Sequence, residues 1–120
     1  MRPVRILLAA AALLALTACS AEEDVTKPAP KETAAERAAG IPSAPTGDAR
    51  DAYLDAIAAV DPQLVVDEQR AIDAGRNQCS SITDPKADSL AAKRFGTDAR
   101  PLTDEQGERL NAALRETLCP

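Results

Sequence analysis

Three cysteines, Cys19, Cys79 and Cys119, carry most of the chemistry open to this chain. A thiol can serve as nucleophile, metal ligand, redox partner or lipid attachment point, and its surroundings decide which. Here the surroundings are restrictive. The sequence contains no His, so nucleophilic triads lack their usual base and zinc would depend on the thiols alone. There is no Cys-x-x-Cys spacing, which argues against a redox-active pair. The five Gly are scattered, not clustered as a phosphate-cradling loop requires. Carboxylates are plentiful, and Asp67, Glu68 and Asp73, or Asp84 and Asp88, could in principle supply an acid/base pair. Acidic residues beside helix starts more often favour the helix dipole and solvate an outer face. Neither cluster has the dense oxygen run of a calcium loop. The expectation is therefore a chain that is not an enzyme and takes no metal or cofactor.

A second candidate is the stretch GRNQC, residues 75–79. Arg76, Asn77 and Gln78 could line a small groove for a ligand or partner, with Gly75 and Tyr53 close by. The competing reading makes them the solvated back of a helix.

The formal charge is −5, so a nucleic-acid partner, which requires a basic footprint, is not expected. Hydrophobic residues make up 45% of the chain, much of it Ala, with one Tyr, one Phe and no Trp. Ala has the highest helix propensity, and runs of β-branched residues are missing, so the fold class expected is all-α.

At the amino terminus Arg2 and Arg5 precede an unbroken apolar run from Ile6 to Leu16. That run suits a signal peptide and is too short to span a bilayer, which takes about 20 residues. The following Leu16-Thr17-Ala18-Cys19 resembles the bacterial lipobox. The resemblance implies a signal peptide over 1–18, cleavage before Cys19, and a diacylglyceryl group of palmitate-class chains on the Cys19 sulfur. A plain secretory signal cut after Ala21 is the alternative. An odd cysteine number in an exported protein leaves one unpaired. If Cys19 carries lipid, Cys79 and Cys119 remain, and an oxidising compartment favours a bond between them.

The mature chain would start at Cys19 with a net charge of −7 after loss of Arg2 and Arg5. Residues 19–47 are rich in Pro, Ala, Glu, Lys, Thr and Ser and cannot bury enough apolar surface to offset their ordering entropy. They read as a flexible tether spanning about 30 Å as a random coil. A short helix over 32–39 fits the composition, but its neighbours offer nothing to pack on. Glu22, Glu23 and Asp24 would hold the chain off an anionic membrane surface.

Residues 48–120 read as a small domain of three to four helices. Asp48 is placed to cap a first helix with Tyr53, Ile57 and Val60 on one face. Asp61-Pro62 breaks it, and Pro62 can open a turn holding Leu64, Val65 and Val66. A second helix is expected from Asp67 to about Ile82, its stripe formed by Ile72, Gly75, Cys79 and Ile82. Gly75 costs that helix about 1 kcal/mol relative to Ala, a cost that close approach of another helix would offset, with a kink as the rival reading. A third, short helix would carry Leu90, Ala91 and Phe95 and end at Gly96. Thr103-x-x-Gln106 is a capping-box pattern, after which Leu110, Leu114, Thr117 and Leu118 follow one face to Cys119. About 73 residues is marginal for an unaided core. A Cys79–Cys119 bond would supply roughly 4 kcal/mol in the chain-entropy account.

The segments YLDAIAAVDPQLV, AIDAGRNQC and TLCP together resemble a small C-terminal domain of exported proteins and lipoproteins of actinobacteria, a domain of unknown function (family 732). Gly75, Cys79, Cys119 and Pro120 match its pattern over about residues 50–120, and residues 83–100 match least. The resemblance implies a helical, disulfide-stapled extracytoplasmic domain and brings no activity with it. The resulting expectation is a lipid-anchored protein on the extracytoplasmic face of the cell membrane. It would act as a non-enzymatic interaction module toward an envelope protein or wall component. A small-ligand carrier with a pocket between helices near Gly75 and Tyr53 is the second reading, and a carboxylate hydrolase the third.

Overall fold

The structure, a computed structural model, describes residues 33–120. The apolar run, Cys19 and the first part of the tether lie outside the described residues. Within them the chain is all-α: α1 (Ala34–Ala38), α2 (Gly47–Val60), a 3-10 turn (Pro62–Val65), α3 (Glu68–Cys79), α4 (Ala87–Phe95) and α5 (Asp104–Thr117). No helix among them is long and apolar enough to cross a membrane.

The helix starts follow local chemistry. Asp67 caps α3 by accepting from the Arg70 backbone N–H at 3.0 Å. Thr103 and Gln106 form the reciprocal capping box that opens α5, satisfying donors a helix start leaves unpaired. Asp61 accepts from Gln63 N and begins the 3-10 turn, with Pro62 in its first position. One start differs from expectation. Asp48 lies inside the first turn of α2, whose N-cap is Thr46 without a side-chain bond. Gly47, the first residue of α2, adopts φ +55°, a conformation other residues rarely accept. The second helix also stops at Cys79, short of Ile82, as the chain tightens into turns over Ser80–Asp84.

The core is one cluster. Tyr53 and Ile57 of α2, Ala91 and Phe95 of α4, and Leu110 and Leu114 of α5 are buried together with Leu64 of the 3-10 turn and Ala71 and Ile72 of α3. With so few large side chains, close backbone approach has to do much of the packing. Helices α4 and α5 show this best. A Cβ at Gly107 of α5 would fall 2.0 Å from the backbone oxygen of Asp88 in α4, so only glycine lets the two helices meet there. Arg70 reinforces the arrangement from α3. Its guanidinium donates to the carbonyls of Phe95 at 3.1 Å and Gly96 at 2.9 Å, pairing acceptors that α4 leaves open at its end and placing a cation at the negative pole of its dipole.

Cys79 and Cys119 are bonded, with their Cα atoms 5.3 Å apart. The bridge joins the last residue of α3 to the segment just beyond α5, and the loop it closes is worth about 4 kcal/mol by loop-closure entropy.

The boundary of the folded part differs from the sequence expectation. Residues 33–46, assigned to the tether, include the capped turn α1 and lie against α3. The contact missed was polar: Arg76 Nε donates to Pro42 O at 2.7 Å, and Arg76 Nη2 meets Glu36 Oε1 at 3.1 Å. A segment poor in apolar residues can still be tied down in good part by one guanidinium with two acceptors.

Candidate functional site

The residues singled out on α3 leave it in three directions. Asn77 is exposed and its side chain donates back to Asp73 O at 2.8 Å, as expected for the outer back of a helix. Arg76 turns to the strap of residues 33–46. Gln78 points inward and is wholly buried. The three do not line a common groove.

Gln78 is the centre of a polar chain inside the core. Arg94 Nη1 donates to Gln78 Oε1 at 2.6 Å, Gln78 Nε2 donates to Asn111 Oδ1 at 2.9 Å, and Asn111 Nδ2 donates to Asp88 Oδ1 at 2.8 Å. Gln78 Nε2 also reaches Ala87 O at 2.9 Å, and Arg94 Nη2 reaches Ser81 Oγ at 3.1 Å. The chain leaves α4 at the cation of Arg94, crosses α3 and α5, and returns to α4 at the carboxylate of Asp88. Each amide turns its oxygen toward the cation and its nitrogen toward the carboxylate. The end charges thereby orient both amides, and the aligned bonds polarise one another. Asn111, like Gln78, has no exposed surface. No buried side-chain nitrogen or oxygen among the described residues lacks a partner. Such a closed ring specifies how three helices meet, because a rotated helix would strand an amide in the core.

Sequence reasoning missed Asn111, Arg94 and Ser81, and it gave Asp88 a different role. A signal for the two buried amides, Gln78 and Asn111, exists. Ala71, Gly75 and Gln78 stand four and three apart, as do Gly107, Asn111 and Leu114, so each amide lies on an apolar stripe.

Gly75 and Tyr53 do meet, but they leave no pocket between them. A Cβ at Gly75 would lie 2.3 Å from Tyr53 Oη, 2.9 Å from Tyr53 Cζ and 3.1 Å from Leu114 Cδ2. The Tyr53 ring itself fills the space expected for a small ligand, and its hydroxyl donates to Ala71 O at 2.5 Å. Burial, and to a lesser degree the charge of Asp73, pushes the phenol well above its ordinary range, so it stays a neutral donor. The glycine thus accommodates a close approach and does not mark a kink.

Each candidate carboxylate is engaged locally. Asp67 caps α3, Glu68 pairs with Arg50, Asp73 accepts from Gln69 Nε2 at 3.1 Å, Asp84 accepts from Lys86 N at 2.7 Å, and Asp88 ends the polar chain. Two open concavities are present among the described residues, and Asp67 borders the second of them. One of about 420 Å³ is bordered by Lys93, Thr97, Asp98 and Asp104, and one of about 400 Å³ runs beside Leu64, Val66 and Arg100.

No protein-family model, curated protein or solved structure matches the chain.

Proposed function

We propose that this chain is an exported lipoprotein, held at the extracytoplasmic face of the cell membrane by a diacylglyceryl group on Cys19. Its disulfide-stapled helical domain would act as a non-enzymatic interaction module toward an envelope protein or wall component. The observation that carries the reading is the bond between Cys79 and Cys119. Disulfides persist in oxidising compartments, and this one accounts for two of the three cysteines. The third stands directly behind an apolar run and Leu16-Thr17-Ala18, where a lipid attachment signal would place it. The resemblance to the family 732 domain belongs to the same proposal and rests on Gly75, Cys79, Cys119 and Pro120.

The interaction role is supported by how the polar side chains are used. Gln78, Asn111, Arg94 and Asp88 hold three helices together, and Tyr53 fills the space beside Gly75. What the domain can offer a partner is therefore its outer surface.

The test is fractionation of the producing cells. The wild-type chain is expected in the membrane pellet, and Cys19→Ala is expected to release it to the soluble fraction. Intact mass of the wild type should show an acylated residue at position 19. A wild-type chain that is soluble, or whose mass shows a free amino terminus after Ala21, would establish plain secretion instead. Crosslinked envelopes yielding no reproducible companion would count against the interaction role.

A further inference from the structure

We propose that residues 33–46 form a detachable strap, latched to the helical body by Arg76, and that opening the latch lengthens the segment between Cys19 and that body. The consequence for reach rests on the lipid-anchor reading; the latch itself does not.

The strap differs from the rest of the described chain in how it is held. None of residues 33–46 is buried, and α1 contributes nothing to the core; Ala44 packs against the core's edge. A five-residue helix is far too short to persist alone in water. Its fold and its docking share one carboxylate. Glu36 Oε2 accepts from the Thr33 backbone N–H at 2.8 Å and closes the capping box, while Glu36 Oε1 meets Arg76 Nη2 at 3.1 Å. Arg76 in turn is largely sheltered, with 14% of its side chain exposed. It touches the strap a second time at Pro42 O and lies 3.9 Å from Asp73 on its own helix. Segments with little buried apolar area and a few polar ties open at low free energy while the body stays folded. The strap also has a place to pivot. Gly47, at φ +55°, joins it to α2, and Thr46 makes no side-chain cap bond there.

The latch governs length. Closed, 14 residues (19–32) separate Cys19 from the docked strap, and these span at most about 50 Å however they are arranged. Open, 28 residues (19–46) do so, and the limit rises to about 100 Å. A domain that must meet a component at a variable distance from the membrane would gain that reach without changing its own fold.

The test is amide exchange on the full chain in detergent, comparing wild type, Arg76→Ala and Arg76→Lys. The amides to follow are Arg37, Ala39, Gly40 and Ile41, which bond to Thr33, Ala35, Arg37 and Glu36 carbonyls. In the wild type they should be protected. In Arg76→Ala their protection should fall roughly tenfold or more, given the strength of bonds to a charged donor. Amides of α5 around Leu110–Leu114 should keep theirs. Arg76→Lys, which cannot reach both acceptors at once, should fall between. Strap amides unprotected in the wild type, or equally protected in Arg76→Ala, would overturn the latch. Loss of protection in α5 as well would show that the strap is integral to the body and not detachable. Failure of the anchor would appear only in the Cys19→Ala fractionation, so the two readings fail separately.

Discussion

Replacing Gly75 by Ala sets two effects of opposite sign against each other. On helix propensity alone the change should stabilise α3 by about 1 kcal/mol. Packing opposes it. The new methyl would sit 2.3 Å from Tyr53 Oη and 3.1 Å from Leu114 Cδ2, and neither neighbour can yield easily, since both are wholly buried. Overpacking of this kind costs about 1–3 kcal/mol. Moving the phenol away from Ala71 O also breaks a buried hydrogen bond, at about 1–3 kcal/mol for a donor left unpaired. The net expectation is a loss of about 3 kcal/mol, or a fall of roughly 12–24 °C in Tm for a domain of this size. Thermal unfolding of the oxidised protein followed by circular dichroism measures it. A cycle with Tyr53→Phe locates the cause. Removing the hydroxyl should cost less in the Gly75→Ala background than in wild type, because the closest part of the clash leaves with it. A Gly75→Ala protein as stable as wild type, or more so, would refute the reasoning and leave Gly75 without a packing role.

Three further outcomes are expected. Gln78→Leu should destabilise by about 3 kcal/mol by stranding Asn111 and Arg94, and adding Asn111→Leu should cost much less than the sum of the singles, as chemical denaturation would show. Intact mass after non-reducing alkylation should show no label on Cys79 or Cys119, and Cys119→Ser should lower the unfolding free energy by about 4 kcal/mol. Glu36 is held below its ordinary 4.5 by the Thr33 backbone N–H first, then the Thr33 hydroxyl and Arg76. A depressed carboxylate stabilises fully above its unfolded value, so the strap should stay docked at neutral pH and loosen as pH falls through the folded value, a shift readable at the Glu36 carboxyl carbon by NMR.

The features legible in the sequence share a short range. The capping box at Thr103-Gln106 depends on residues three apart, and the proline break after Asp61 on adjacent ones. The stripe of Leu110 and Leu114 needs only helical periodicity. Even the cysteine pairing, although 40 residues apart, follows from count once Cys19 is assigned elsewhere. Boundaries were less legible where a turn competed with a helix, as beyond Cys79, or where α2 begins at Gly47, ahead of Asp48.

Polar residues marked the limit. Arg76, Asn77 and Gln78 are adjacent and similar in type, yet one binds a strap, one faces solvent and one is sealed in the core. Helical phase separates them, but phase alone does not say whether a buried amide can be tolerated. That depends on what α4 and α5 bring to meet it, namely Arg94, Asn111 and Asp88 from positions 16, 33 and 10 residues away in sequence. Amino-acid sequence by itself pointed to the helical class, to the capping box at Thr103-Gln106 and, with Cys19 set aside, to the pairing of Cys79 with Cys119, because propensity, periodicity and count are local or arithmetic properties. Only the tertiary structure decided that Gln78 belongs inside, that Tyr53 occupies the space beside Gly75, and that residues 33–46 lie against α3. Each of those outcomes turns on a hydrogen bond or a contact whose partner is supplied by another element.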